Sequence, residues 1–179
     1  GMSTVSVIFL GESIGLTSSQ IGIFFLVALL AAVPGSQLGG FVTAKLDPKN
    51  SWRLNLTLMA IIVVIGMATL SRDTPMFGVY AWGFGVGLML GWHYPAQALI
   101  FSLCLPKGQD AELSGFFVYS TQILMWVPPL IFSVLEQVGV EQRWAVVAVS
   151  SFSLVAAGIL SFLPAWSDVL VDVSKKDNM

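Results

Sequence analysis

The feature that most constrains this chain is the spacing of its charges. No charged side chain occurs between Glu12 and Lys45, from Leu54 to Ser71, from Leu113 to Leu135, or from Trp144 to Ser167. From Thr74 to Pro106 there is no Asp, Glu, Lys or Arg either, and His93 is the sole histidine. A bilayer crossing needs about 20 mostly apolar residues. Each of these stretches is long enough for one. Composition agrees, because charged residues make up 10% of the chain and hydrophobic ones 56%, against about 25% charged in a soluble domain. So few charges cannot cover a water-facing surface. The chain reads as an integral membrane protein whose first partner is the lipid bilayer.

Other classes fall away. Net charge −2 offers no basic face for nucleic acid. One cysteine, Cys104, excludes an intrachain disulfide. No Lys or Arg precedes Lys45, so the basic start of a cleaved signal peptide is absent. No nucleophile–base pair and no metal-ligand cluster is visible, so no enzyme activity, cofactor or metal is expected.

Six hydrophobic segments are expected, at 2–14, 19–43, 53–71, 76–103, 113–135 and 143–163. In lipid the backbone must satisfy its own polar groups, and runs such as "FFLVALLAAV" lack the alternation of a barrel strand, so the segments are helices. The fold class is therefore all-α and polytopic, with residues 1–163 as one six-helix domain and 164–179 as a polar tail. The connections carry start signals. "GLTSSQ" supplies Ser and Thr caps for the second segment. In "KLDPKNSWR", Asn50 or Ser51 is the expected cap of the third. Pro75 in "SRDTP" suits the first turn of the fourth. One end collects Lys45, Lys49, Arg53, Lys107, Lys175 and Lys176, and the other Arg72 and Arg143. The positive-inside rule places the first end, and both termini, on the cytoplasmic side.

Several side chains inside these spans invite a functional reading. His93 and Gln97 are four apart and share a helix face. They either line a polar cavity that binds substrate or relays a proton, or His93 bonds a neighbouring helix at about 0.6 kcal/mol. Pro34, Pro95 and the pair Pro128-Pro129 interrupt helical hydrogen bonding, which transporters exploit at binding sites and gates. The glycines of "GFGVGLMLG" lie within a span, which rules out a nucleotide loop. Gly87 with Gly91, Gly35 with Gly39, and Gly11 with Gly15 fit close helix packing. Glu12 reads either as a coupling carboxylate or as a solvated loop residue. Asp110 and Glu112 fit the start of the fifth helix, where negative charge is favourable.

The run "QALIFSLCLPKGQDAELSGFFVY", followed by an apolar helix with Pro128-Pro129, resembles the C-terminal half of the Atg22-like (UMF1-type) transporters of the major facilitator superfamily. Gln97, Ala98, Leu99, Pro106, Gly108, Glu112, Gly115 and Tyr119 fall on the family pattern, and "ESIGLTSSQIG" is similar to its opening turn. The resemblance implies half of a twelve-helix transporter and efflux of small metabolites such as neutral amino acids, from the vacuole or another internal membrane. The candidate substrate-binding residues are then His93, Gln97, Tyr119 and Gln122, and the candidate kink or gate residues Pro95, Pro128, Pro129, Lys45, Asp110 and Glu112. One half has one wall of the site, so an N-terminal half, a second copy, or subunits of a larger membrane complex would have to complete it. The chain departs from the pattern in places. The superfamily loop G-x-x-x-D-R/K-x-G has Ala44 at its acid, Lys45 at its base and Asp47 at its last glycine. Tyr94 and Pro95 replace a small pair, and Ile100 and Phe101 replace Ser-Arg. A transport-inactive structural or accessory subunit is the alternative reading.

Overall fold

The computed structural model describes residues 2–105, 110–123, 125–169 and 171, with side chains from residue 5 onward except 110, 111 and 121. Among the described residues all regular structure is helical: α1 (Met2–Ile8) running into a π-helical turn (Phe9–Ser13), α2 (Ser18–Leu46), α3 (Pro48–Thr69), α4 (Met76–Leu103), α5 (Asp110–Ile123), α6 (Val127–Gln137) and α7 (Gln142–Phe162). Three of them, α2, α3 and α7, are both long enough and apolar enough to cross a membrane. The fourth expected segment forms the single helix α4, continuous through Pro95, as α2 is through Pro34.

Local chemistry explains where the helices start. Thr17 and Gln20 form a reciprocal capping box at α2, with Thr17 N–H donating to Gln20 Oε1 at 2.9 Å and Gln20 N–H to Thr17 Oγ1 at 3.4 Å. The cap of α3 lies earlier than Asn50 or Ser51. Asp47 caps it, accepting the Asn50 N–H at 2.8 Å, and Pro48 occupies the first turn, where no N–H is needed. Asp47 sits at φ 72°, the sole non-glycine residue at positive φ among those described. Pro75 is the N-cap of α4, one residue before its first turn.

The helix pair α2–α4 is the backbone of the bundle. A methyl group added at Gly87 would fall against the Ala28 carbonyl, and one at Gly91 against the Ala32 carbonyl. From the other side, Gly35 faces the Leu88 backbone and Gly39 the Trp92 indole. Paired positions rise together along both helices, so α2 and α4 run parallel with their backbones in contact. This is the small-residue packing expected of membrane helices, where close approach replaces the hydrophobic drive. Gly11 and Gly15 are different. Gly11 has only ordinary contact with Ile21, and Gly15 has open space but φ +82°, so it serves the turn before α2 and not a helix seam.

α3 packs on α4 and on α7. The Lys49 ammonium donates to the Leu163 and Pro164 carbonyls at 2.7 and 2.9 Å, fastening the start of α3 to the end of α7. Lys45, Lys49 and Arg53 thus share an end of the bundle, and Arg72 and Arg143 share the other, where they reach the Glu12 and Leu70 carbonyls. Lys107, Lys175 and Lys176 lie outside the described residues.

The single span expected at 113–135 is interrupted. α5 ends at Ile123, Met125 and Trp126 form a turn, and α6 begins at Val127 with prolines in its first turn. Pro128 and Pro129 therefore do more than kink a helix. Two consecutive residues without N–H are tolerated at a helix start and not in its interior, so the helix restarts just before them. α5 has few neighbours, its clearest tie being Phe117 stacked on Phe101 at 4.1 Å between ring centroids.

Candidate functional site: a buried polar cluster between α2, α3 and α4

The apolar interior of the bundle contains one chain of polar side chains near the basic end. Ser51 and Asn55 on α3 are fully buried. Asn55 stands seven residues into α3, about 10 Å from its start at ~1.5 Å per residue. Its amide Nδ2 donates to the Met89 carbonyl at 3.0 Å and lies 3.8 Å from Met89 Sδ. That contact turns Asn55 Oδ1 toward His93 Nδ1, 3.3 Å away. The Trp52 indole N–H points at the same nitrogen, also at 3.3 Å. One turn back, Trp92 donates to Ser51 Oγ at 3.1 Å, and Ser51 meets Thr43 Oγ1 of α2 at 2.7 Å. Every buried polar side-chain atom among the described residues has a partner. Satisfying them matters, because an unpaired polar group away from water costs several kcal/mol.

His93 is thus bonded to a neighbouring helix, and its ring also stands edge-on to Tyr94. It is half-buried. Trp92 belongs to the core, at 2% exposure, and not to an interfacial belt; Tyr94 is exposed. Gln97 follows one turn later on the same face, half-buried. Tyr119 and Gln122 are exposed on α5. A concavity of about 590 Å³ lies at the basic end between Asp47, Lys49, Asn50, Ala165, Trp166 and Ser167, and does not include His93.

The candidate gate residues are spread. Lys45 has no acid beside it at Ala44, and its ammonium lies 4.2 Å from the Phe41 ring, a cation–π contact one turn back. Glu112 is exposed. The Asp110 side chain lies outside what is described, although α5 begins at that residue. Phe101, at the position of the family's arginine, holds α5 through its ring stack.

A second network, absent from the sequence reading, closes the opposite end. Gln142 Nε2 donates to Glu12 Oε2 and to Glu136 Oε1, each at 2.7 Å, and Gln142 Oε1 accepts from the Ser13 hydroxyl. Arg72 donates to the Glu12 carbonyl at 3.0 Å. Glu12 is therefore a structural tie between the π-helical turn, α6 and α7. Its side-chain partner Gln142 lies 130 positions away in sequence, beyond any local pattern. Asn55 could have been found, as a lone amide inside an apolar, charge-free run.

Neither a curated protein nor a solved structure matches the chain. A comparison with protein families matches residues 1–169 to the family described as "Vacuole effluxer Atg22 like". That match spans α1 to α7 together with the proline pair and the charged segment before α5, and by it the chain belongs to the Atg22-like family.

Proposed function

We propose that this protein takes part in secondary transport of a small metabolite, such as a neutral amino acid, across an internal membrane. The observation that carries the reading is the polar cluster of Thr43, Ser51, Trp52, Asn55 and His93 within an apolar membrane bundle. Uncharged donors and acceptors at that depth suit a substrate whose charges cancel. The cluster supplies one wall, so a partner half or a second copy supplies the other. Both the basic end as the cytoplasmic face and the tail beyond α7 belong to this reading.

Reconstitution tests it. Vesicles holding the protein should take up or release labelled neutral amino acids, and His93→Ala should reduce that flux at least tenfold while leaving the fold intact. Flux equal to empty vesicles, in the presence of every associating chain, would remove the transport reading.

A second reading has its own support. Ala44, Asp47, Ile100 and Phe101 depart from the transporter pattern, and α5 turns Phe116, Tyr119 and Ile123 outward. These favour an accessory subunit of a larger membrane assembly. Native mass in mild detergent separates the two. A fixed complex with unrelated chains supports the subunit, and a homodimer supports the transporter.

A further inference from the structure

His93 Nδ1 faces two partners that it cannot satisfy together. The Trp52 indole nitrogen only donates, so its bond at 3.3 Å requires a bare lone pair on Nδ1. Asn55 Oδ1 only accepts, so its contact at 3.3 Å requires a proton on Nδ1. Rotating the Asn55 amide does not resolve the conflict. It would set Oδ1 against the Met89 carbonyl, which Nδ2 now occupies at 3.0 Å. At 3.3 Å each, the two contacts make opposite demands on the same ring nitrogen.

We propose that Trp52, His93 and Asn55 form a two-state hydrogen-bond switch in which one proton on His93 Nδ1 decides whether α4 is bonded to the indole or to the amide of α3. In the first state the ring is neutral with its proton on Nε2, and Nδ1 accepts from Trp52. In the second, a proton from water forms an N–H bond at Nδ1 and the ring becomes a cation. Nδ1 then donates to Asn55 Oδ1, and the Trp52 N–H, now facing another N–H, is released. The ligand of the site is a proton.

The surrounding charges leave the choice to these three residues. On α2, Lys45 lies over Phe41. On α3, Asp47 binds Asn50, Lys49 binds the end of α7, and Arg53 reaches Ser161 at 3.4 Å. α4 itself carries no charged residue. Among the described residues no carboxylate touches the ring, so no counter-ion holds the imidazolium in advance. The switch does not depend on which metabolite, if any, is carried.

His93 is the chain's one histidine, so the test needs no assignment. Protein labelled with ring-¹⁵N histidine and indole-¹⁵N tryptophan is placed in lipid nanodiscs, and the ring nitrogens are followed with pH. At neutral pH the wild type should show the Nε2–H form. Trp52→Phe should raise the Nδ1–H population, and Asn55→Leu should lower it, each by about fivefold, the weight of one net hydrogen bond. In the wild type, the Trp52 indole signal, identified by its loss in Trp52→Phe, should shift in the same transition as the ring. Equal populations in wild type and both variants would overturn the switch. So would movement of both variants in one direction. If a variant fails to fold, the wild type decides alone: ring protonation with an unmoved Trp52 indole overturns the proposal.

Discussion

The Cα of Gly87 lies so close to the Ala28 carbonyl that a single methyl group would collide with it. The same holds four residues on, between Gly91 and Ala32. The contact between α2 and α4 is therefore one of backbone on backbone, and the polar cluster on α3 is aligned by it.

Gly87→Ala and Gly91→Ala should each destabilise the bundle by about 1–3 kcal/mol, the usual cost of overpacking. Gly22 is the control. It has open space on an exposed face of α2, so Gly22→Ala should be neutral or stabilise by about 0.5–1 kcal/mol, since alanine loses less backbone freedom. Thermal unfolding in one detergent measures all three. Equal effects at the three positions would show that the seam is not the critical contact.

Asp47 offers an independent check. Its backbone, at φ 72° and ψ 156°, belongs to a region that glycine occupies without strain and other residues hold at about 1–3 kcal/mol. In the superfamily loop pattern this is the position of the last glycine. Asp47→Gly should raise the melting temperature, because glycine loses only a few tenths of a kcal/mol as a cap. Asp47→Ala should lower it, by keeping the strain and losing the bond to Asn50. Equal melting temperatures for the two variants would contradict the strain argument.

Asn55 separates polarity from shape. Asn55→Leu keeps the volume and removes the amide, so it should cost about 1 kcal/mol or less. Asn55→Asp puts a carboxylate at a site with no exposure, where only protonation of the His93 ring beside it could offset the charge, and against a neutral ring it should cost about 2.5–3.5 kcal/mol. Yield and unfolding temperature should rank wild type, then Asn55→Leu, then Asn55→Asp. The reverse ranking would mean that the site is hydrated.

At the opposite end, Gln142→Leu removes the amide that both Glu12 and Glu136 share, leaving two carboxylates facing each other. Gln142→Glu adds a third. Hydrogen exchange at the Ile14 and Leu16 amides, which close the turn after the π-helical segment, should quicken about fivefold in the first variant and more in the second. Unchanged exchange would show that the tie is idle.

The membrane bundle was legible because lipid forbids charge, so gaps between charges mark helices directly. The α2–α4 seam was legible because glycines four apart serve one purpose in a span. The α5–α6 interruption was not, because one proline in a helix and two at a helix start differ only in what lies upstream. The cluster was half legible. His93 stood out as a titratable residue in an apolar run, but Trp52 and Asn55 acquire meaning only when α3 crosses α4. Tyr119 and Gln122 stand exposed on α5, whose ring stack from Phe117 reaches α4 at Phe101, two turns beyond His93. Glu12, Glu136 and Gln142 meet through the bundle's closure, and nothing near them in sequence announces it.

The turn at Met125 and Trp126 also says something about what surrounds the protein. The Met125 carbonyl would look four residues ahead for a helical donor, and finds Pro129, which has none. Trp126 beside it is 60% exposed. Hydrocarbon offers such a carbonyl no hydrogen bond, and bare backbone of this kind persists at membrane depth only against water or protein. The proline pair therefore takes the helical donor away from the Met125 carbonyl, and at membrane depth a replacement donor can come only from water or from polypeptide.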